Sequence, residues 1–173
     1  MLRSFARAIL TLIGWRTDCI NPKENKYVLI GAPHTTNWDF PMTLLGLASM
    51  GVRFNWVAKH TLFRWPIGIL FRAIGGIAVD RRTGTGFLKS TIDLFQKRDH
   101  FILVIAPECT PSKTTSWKTG FYTIAEQAGI PIVLGYIDYE KKKIGIGRKV
   151  QPSGNIEEDF KIIQEFYKYK KGK

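Results

Sequence analysis

Short apolar runs alternate with helical segments along almost the whole chain, and this alternation limits the fold more than any other feature. The predicted strands cover residues 27–30, 54–58, 77–79, 101–106, 132–139 and 143–147. The predicted helices cover residues 40–50, 84–97, 119–128 and 157–169. Strands that alternate with helices form a mostly parallel sheet with helices packed against it. The sequence therefore predicts an α/β sandwich, a single domain over residues 1–173, whose sheet is made mixed by a C-terminal hairpin.

The composition excludes several other classes of protein. A chain of 173 residues, 45% of them hydrophobic, is long enough for one packed core and too short for two large domains. Two cysteines, Cys19 and Cys109, are too few for a disulfide framework, so we expect a reducing compartment. No apolar stretch reaches the ~18 residues of a membrane-spanning helix. The net charge of +12 indicates an anionic partner: nucleic acid, an anionic membrane or a phosphorylated substrate.

Three segments have compositions that suit a membrane surface. Residues 1–16 form an amphipathic helix with arginines and a terminal Trp15, which either packs on the domain or lies in a membrane interface. Residues 60–72 combine Trp and Phe with arginines, which is typical of an interface, although a core helix is the alternative. The basic tail, residues 168–173, either contacts anionic lipid or is solvated. Composition alone leaves both alternatives open for each of the three segments.

The loop after the first strand carries a histidine and an aspartate five positions apart. His34 lies in the loop and Asp39 in the first turn of the next helix, where open α/β sheets usually bind their ligands. A carboxylate there can fix the imidazole tautomer and stabilise the imidazolium ion. Since no serine accompanies the pair, the nucleophile would be a substrate hydroxyl. The alternative is that Thr36, Asn37 or Asp39 caps the helix and His34 is an ordinary loop residue.

Further polar side chains follow the later strands. Arg81 and Arg82 stand just past the third strand, and guanidinium groups suit bidentate phosphate binding. Glu108 follows the fourth strand and can hold a hydroxyl or orient a basic residue. Lys118 precedes a helix N-terminus, where anions bind well. Each segment alone also fits an ordinary exposed loop, but together they predict one site that deprotonates a hydroxyl and holds an anion.

The order of these segments resembles that of the 1-acylglycerol-3-phosphate (lysophosphatidic acid) acyltransferase family of glycerolipid acyltransferases. The first family block, His-x4-Asp, is matched by His34 and Asp39. The second, third and fourth blocks are matched, the third only in part, at residues 75–81, 106–112 and 130–134. Residues 58–68 resemble the stretch between the first two blocks, so the resemblance covers roughly residues 27–139.

The resemblance implies a glycerolipid acyltransferase fold and an activity in phospholipid biosynthesis. A fatty acyl group passes from an acyl thioester, on coenzyme A or acyl carrier protein, to a hydroxyl of a lysophospholipid-like acceptor. His34 is then the general base and Asp39 orients it, and no acyl-enzyme forms. Neither a cofactor beyond the acyl donor nor a metal is expected. The implied partners are the acyl donor, the lipid acceptor and an anionic membrane, with no nucleic acid.

The resemblance also assigns substrate-binding residues, with one departure from the family pattern. Arg81 would bind an acceptor phosphate, while Glu108 and Thr110 would shape the acceptor site. The remaining substrate-binding candidates are Arg82, Lys118 and Lys59.

The departure lies in the third block, where Cys109 replaces the usual glycine and Pro111 the usual phosphate-binding arginine. Lys113, Lys118 or Arg82 would have to compensate, or the acceptor is a different lipid alcohol, or the activity is weakened. Two further hypotheses stay open. The chain is an inactive acyltransferase-like protein, or it is a non-enzymatic binder of anionic lipid or nucleic acid.

Overall fold

The computed structural model describes residues 2–20, 22–79, 84–108 and 117–173, without the side chains of residues 58, 59, 79, 84 and 85. The strands are β1 (Arg16–Cys19), β2 (Lys26–Ala32), β3 (Asn55–Lys59), β4 (Gly76–Val79), β5 (Phe101–Ile105), β6 (Ile132–Asp138) and β7 (Lys143–Val150). The α-helices are α1 (Leu2–Leu12), α2 (Asp39–Met50), α3 (Ile67–Ala73), α4 (Gly84–Lys97), α5 (Gly120–Ala128) and α6 (Ile156–Tyr167), and a short 3-10 helix covers His60–Phe63.

The strands form one sheet in the order β1-β7-β6-β2-β5-β3-β4. Strands β2 to β6 run parallel, whereas β7 pairs antiparallel with β6, and β1 pairs parallel with β7. The predicted α/β domain with a mixed, largely parallel sheet flanked by helices is therefore confirmed. Because β2 lies between β6 and β5, the loop that follows it lies at the centre of the carboxyl edge.

Side chains of the central strand enter cores on both faces of the sheet. Tyr27 and Leu29 pack with Leu47 beneath α2. Val28 and Ile30 pack on the other face, with residues from α4, α5 and α6. A strand buried on both faces has no polar alternation, which is why the sequence of β2 is a continuous apolar run.

The N-terminal segment differs from its prediction in two respects. The helix ends at Leu12 rather than near residue 16, and Gly14 follows it with a φ of 76°, a conformation that favours glycine. Residues Arg16–Cys19 then form the edge strand β1, which has no apolar alternation and was not predicted. This strand depends on its ladder with β7, which the local sequence does not reveal.

Helix α1 packs on the domain and leaves its apolar stripe exposed. Ala6 and Leu10 are buried, and Leu10 packs with Ile137 and Ile144. The guanidinium groups of Arg3 and Arg7 donate to the Ser49 carbonyl in the last turn of α2, where the helix dipole favours a cation. The outward apolar side chains, which face no core, are Leu2, Phe5, Leu12 and Ile13.

The segment 60–72 is not a core helix. Gly68 of α3 and Phe63 before it are buried and Phe71 is half-buried, but most of the other large apolar side chains of the segment are exposed. These exposed side chains are Leu62, Trp65, Ile67, Ile69 and Leu70. None of the helices that the structure describes is both long enough and apolar enough to span a bilayer.

Candidate active site

Side chains from three strand ends meet at the centre of the carboxyl edge. His34 and Asp39 belong to the connection from β2 to α2, Glu108 follows β5, and Tyr139 follows β6. The register explains the meeting, because Ile30 of β2 lies opposite Ile105 of β5 and Ala32 lies opposite Tyr136 of β6. Polar residues a few positions beyond each strand therefore converge.

Asp39 is the centre of the hydrogen-bond network. Its Oδ2 is 2.9 Å from Nδ1 of His34 and accepts the backbone N–H groups of Thr35 (2.8 Å) and Thr36 (3.0 Å). Its Oδ1 accepts the hydroxyl of Tyr139 at 2.7 Å. The N-cap of α2 is Trp38, whose side chain makes no capping hydrogen bond. The carboxylate is thus engaged with the histidine and its loop, and the capping alternative does not apply.

These contacts determine the ionisation of Asp39. The side chain is 5% exposed, and burial by itself disfavours the charged form. The hydrogen bonds from His34, Tyr139, Thr36 and Thr35 outweigh burial and hold the pKa of Asp39 below its ordinary value. Burial, together with the adjacent Asp39 charge, raises the pKa of Tyr139 well above its ordinary value. Tyr139 therefore stays a hydrogen-bond donor to an ionised carboxylate.

The orientation of His34 leaves one ring nitrogen for chemistry. Since Nδ1 faces a carboxylate, it carries the proton, and Nε2 is the nitrogen with a free lone pair. The side chain is 22% exposed, so a substrate can reach it. An imidazole held in this tautomer beside a charged carboxylate can take a proton from a hydroxyl group and stabilise the resulting positive charge.

Glu108 holds the same loop through the main chain. Its Oε2 accepts the backbone N–H of His34 at 2.7 Å. Burial is the main cause that raises the pKa of Glu108, and the Asp39 charge adds to it, while the hydrogen bond from His34 opposes them. Of the two roles that the sequence suggested for Glu108, this contact corresponds to orienting a basic residue, and it acts through the backbone of His34 rather than through its ring.

An apolar cavity of about 210 Å³ opens beside His34 and Asp39 and continues under the length of α2. Leu44, Leu47 and Met50 line it from the helix. Its floor is the sheet, where Gly31 leaves open space: a Cβ there would have no atom within 4 Å. The site therefore joins a polar mouth to an apolar interior.

Of the remaining predicted substrate-binding residues, the structure describes Lys118 and the backbone of Lys59. Lys118 is exposed before α5, and its backbone N–H donates to the Pro107 carbonyl at 3.0 Å. Lys59 is the last residue of β3, and its side chain lies outside the described part. Arg81, Arg82, Thr110 and the altered third-block positions Cys109 and Pro111, with Lys113, also lie outside the described residues. Within the described ranges, no group of three or more His, Cys, Asp or Glu residues could hold a metal ion.

Two contributors were missed by the sequence reasoning. Tyr139 was assigned only to the end of a strand, and it reaches Asp39 because β6 neighbours β2 in the sheet. Gly31 lies just past the predicted strand 27–30, and the structure includes it in β2. The available signal for Tyr139 was its position just after an apolar strand, where the other candidates also lie.

Comparison with known proteins agrees with this architecture. A model of the Acyltransferase family matches residues 18–136, which is more than half of the chain. The crystal structure of the 1-acyl-sn-glycerophosphate (LPA) acyltransferase PlsC from Thermotoga maritima superposes with a TM-score of 0.64 at 19% identity, covering 96% of this chain and 75% of that chain. No curated protein matches the sequence significantly.

The fold is thus the α/β fold of the PlsC acyltransferase. The chain belongs to the Acyltransferase family, and the resemblance drawn from the four sequence blocks is confirmed.

Proposed function

We propose that this protein transfers a fatty acyl group from an acyl thioester to a hydroxyl group of a lysophospholipid-like acceptor. One observation carries the proposal: the His34–Asp39 pair, 2.9 Å apart, stands at the mouth of an apolar cavity. Membership of the Acyltransferase family supports acyl transfer as the reaction class.

The geometry supports a direct transfer with His34 as the general base. Nε2 accepts the proton of the acceptor hydroxyl while its oxygen attacks the thioester carbonyl carbon. The carbon–sulfur bond then breaks, and the departing thiolate takes the proton from the imidazolium ion. Asp39 keeps the proton on Nδ1 and balances the transient positive charge. No side-chain nucleophile is needed, because the substrate supplies the hydroxyl.

The cavity suits the acyl chain of the donor. It is lined by apolar side chains under α2, a helix of 12 residues that is about 18 Å long. Each methylene group removed from water contributes about 0.8 kcal/mol, so an apolar channel favours long acyl chains. A chain bound there would place its thioester carbon near His34.

The identity of the acceptor and of the acyl carrier is a further part of the proposal. PlsC is named as a 1-acyl-sn-glycerophosphate acyltransferase, and a phosphate-bearing acceptor fits the net charge of +12. Arg81, Arg82, Thr110, Lys118 and Lys59 remain the proposed substrate-binding residues. Proline at position 111 removes the family's usual phosphate contact, so acceptors with and without phosphate need comparison.

We also propose that the exposed apolar side chains of α1 and of residues 62–70 contact an anionic membrane, at its cytoplasmic face. Leu12 is 84% and Trp65 is 83% exposed. Basic residues near such a surface contribute roughly 1 kcal/mol each against anionic lipid. Vesicle sedimentation of a Leu12→Ser and Trp65→Ser double variant should show weaker binding to anionic vesicles, with unchanged thermal unfolding. Equal binding by the variant and the wild type would contradict this contact.

The central test is an acyl-transfer assay that follows thiol release from acyl-coenzyme A and acyl carrier protein. The acceptor panel contains lysophosphatidate, lysophosphatidylcholine and monoacylglycerol. Replacing the base, in His34→Ala, should lower turnover by roughly 10²–10⁴-fold. His100→Ala is the matched control, because His100 is exposed at the opposite edge of the sheet.

Two outcomes would contradict the proposed enzyme. In the first, the wild type is inert toward every acceptor while it still binds vesicles, which would favour a non-enzymatic lipid binder. In the second, His34→Ala keeps the wild-type rate, which would show that His34 is not the general base.

A further inference from the structure

The C-terminal residues 170–173, here called the C-terminal strap, lie against the His34 loop. The backbone N–H of Lys173 donates to Oγ1 of Thr35 at 2.9 Å. Gly172 lies so close to Thr35 that a Cβ at this glycine would be 2.4 Å from the threonine methyl group. The basic tail predicted from the sequence is therefore neither a purely solvated nor a purely membrane-facing segment.

The strap is anchored at its first residue. The Lys170 ammonium group lies 3.9 Å from the ring centroid of Tyr136 and 5.2 Å from that of Phe166. A cation over an aromatic face is attracted by the ring quadrupole. The backbone N–H of Lys170 also donates to the Tyr167 carbonyl at 2.9 Å. The strap thus continues from the end of α6 in a fixed direction across the carboxyl edge.

Tyr139 connects the strap to the Asp39 carboxylate. Its backbone N–H donates to the Lys171 carbonyl at 2.9 Å, and its hydroxyl donates to Oδ1 of Asp39 at 2.7 Å. Its ring packs edge-on against Trp15, with centroids 5.1 Å apart. The N-terminal segment, the β6–β7 turn and the C-terminal strap therefore converge on one residue that contacts the dyad.

We propose that Tyr139 and the C-terminal strap position the His34–Asp39 pair for catalysis. The phenol fixes Asp39 from the side opposite His34, so the carboxylate cannot turn about its Cβ–Cγ bond without losing a hydrogen bond. The strap fixes Tyr139 and holds Thr35, whose backbone N–H also binds Asp39. This inference rests on the proposed function, in which a displacement of about 1 Å at the reacting groups costs roughly 10²-fold in rate.

The sharpest variant is Tyr139→Phe, which removes the hydroxyl and keeps the ring against Trp15. We expect kcat to fall roughly 10-fold with an unchanged KM for the acyl thioester, since the loss is one of orientation. The melting temperature should fall by a few degrees at most, because the buried Asp39 carboxylate loses one of its hydrogen bonds. Tyr169→Phe is the matched control, because that ring is 69% exposed and lies before the strap. A wild-type kcat in Tyr139→Phe would overturn the role of Tyr139.

Two variants at Thr35 separate the hydroxyl from the side-chain volume. Thr35→Val removes the acceptor for the Lys173 N–H and should lower kcat, whereas Thr35→Ser keeps the hydroxyl and should retain kcat. Gly172→Ala should reproduce the effect of Thr35→Val, because the added methyl group would push the strap from the loop. Wild-type kcat in both Thr35→Val and Gly172→Ala, or a higher kcat in either, would overturn the role of the strap.

A second readout does not depend on turnover. The ¹⁵N chemical shifts of the His34 ring report which nitrogen carries the proton. We expect the Nδ1–H tautomer in the wild type and a mixture of tautomers in Tyr139→Phe and Gly172→Ala. Variants with wild-type ring shifts would overturn the positioning role. A wild type that shows these shifts but no acyl transfer would overturn the proposed function alone.

Discussion

The two ends of the cavity are specified in opposite ways. At the mouth, both oxygens of Asp39 accept hydrogen bonds, from His34, Thr35, Thr36 and Tyr139. In the interior, Gly31 leaves open space, because among the described residues beyond its two chain neighbours no atom lies within 4 Å of where its Cβ would be. The mouth is thus shaped by hydrogen-bonding groups, whereas the interior is open because a glycine has no side chain. Changes at the mouth should therefore affect every substrate alike, while changes in the interior should discriminate between acyl chains.

Among changes at the two ends of the cavity, Asp39→Asn should have the largest effect on turnover. An amide keeps the shape and can still bind Tyr139, but it cannot balance the imidazolium charge on His34. We expect turnover to fall roughly 10²–10³-fold. Rates with butanoyl, decanoyl and palmitoyl thioesters should fall by the same factor. If turnover fell only with the long-chain thioesters, the mouth of the cavity would also select the acyl chain, which would contradict this division of roles.

The second-largest effect should be a loss of kcat/KM for long acyl chains when a side chain at position 31 fills the interior of the cavity. Gly31→Ala adds one methyl group to open space, and Gly31→Leu adds a full apolar side chain. We expect Gly31→Leu to lower kcat/KM for palmitoyl thioester by roughly 10–200-fold, the range in which one to a few methylene groups change binding, and to leave butanoyl thioester almost unaffected.

Gly31→Ala provides the graded control for that series. It should shift the preferred chain by a smaller step in the same direction, and both variants should fold, because the strand conformation at Gly31 requires no positive φ. Equal losses for short and long chains would show that the cavity does not hold the acyl group.

The same contrast explains how far the sequence could predict the site. The separation of His34 and Asp39 is local, since only residues 33–38 join the end of β2 to the start of α2, and the sequence finds both. Tyr139 lies 100 positions after Asp39 and meets it only because β6 lies beside β2 in the sheet. Strand order depends on long-range packing, which alternating apolar runs do not encode.

Gly31 and the C-terminal strap were missed for related reasons. Gly31 lines the cavity together with Leu29 and Val104, and its open space results from packing between β2, β5 and α2, which the local sequence does not reveal. The strap has a lysine-rich sequence that is typical of a solvated tail, yet its position depends in part on main-chain N–H and C=O groups that bind Tyr139 and Thr35. Composition describes the side chains of such a segment and not its backbone partners.

The smallest effect should come from Glu108, the second carboxylate at the mouth. Its pKa is raised in the folded protein, chiefly by burial, whereas the unfolded chain ionises near the ordinary value of 4.5. Between pH 4.5 and the raised pKa, the folded state therefore binds more protons than the unfolded state. The free energy of unfolding falls as the pH rises through this interval. Above the raised pKa the whole penalty is present.

Glu108→Gln removes this penalty and keeps an oxygen for the His34 N–H group. The variant should melt at most a few degrees higher than the wild type at neutral pH, and the difference should vanish below about pH 4. Glu108→Ala, which leaves the His34 N–H without its acceptor, should instead lower the melting temperature at both pH values. If Glu108→Gln were less stable than the wild type at neutral pH, the charge of Glu108 would itself stabilise the loop. The mouth would then depend on two ionised carboxylates rather than on Asp39 alone.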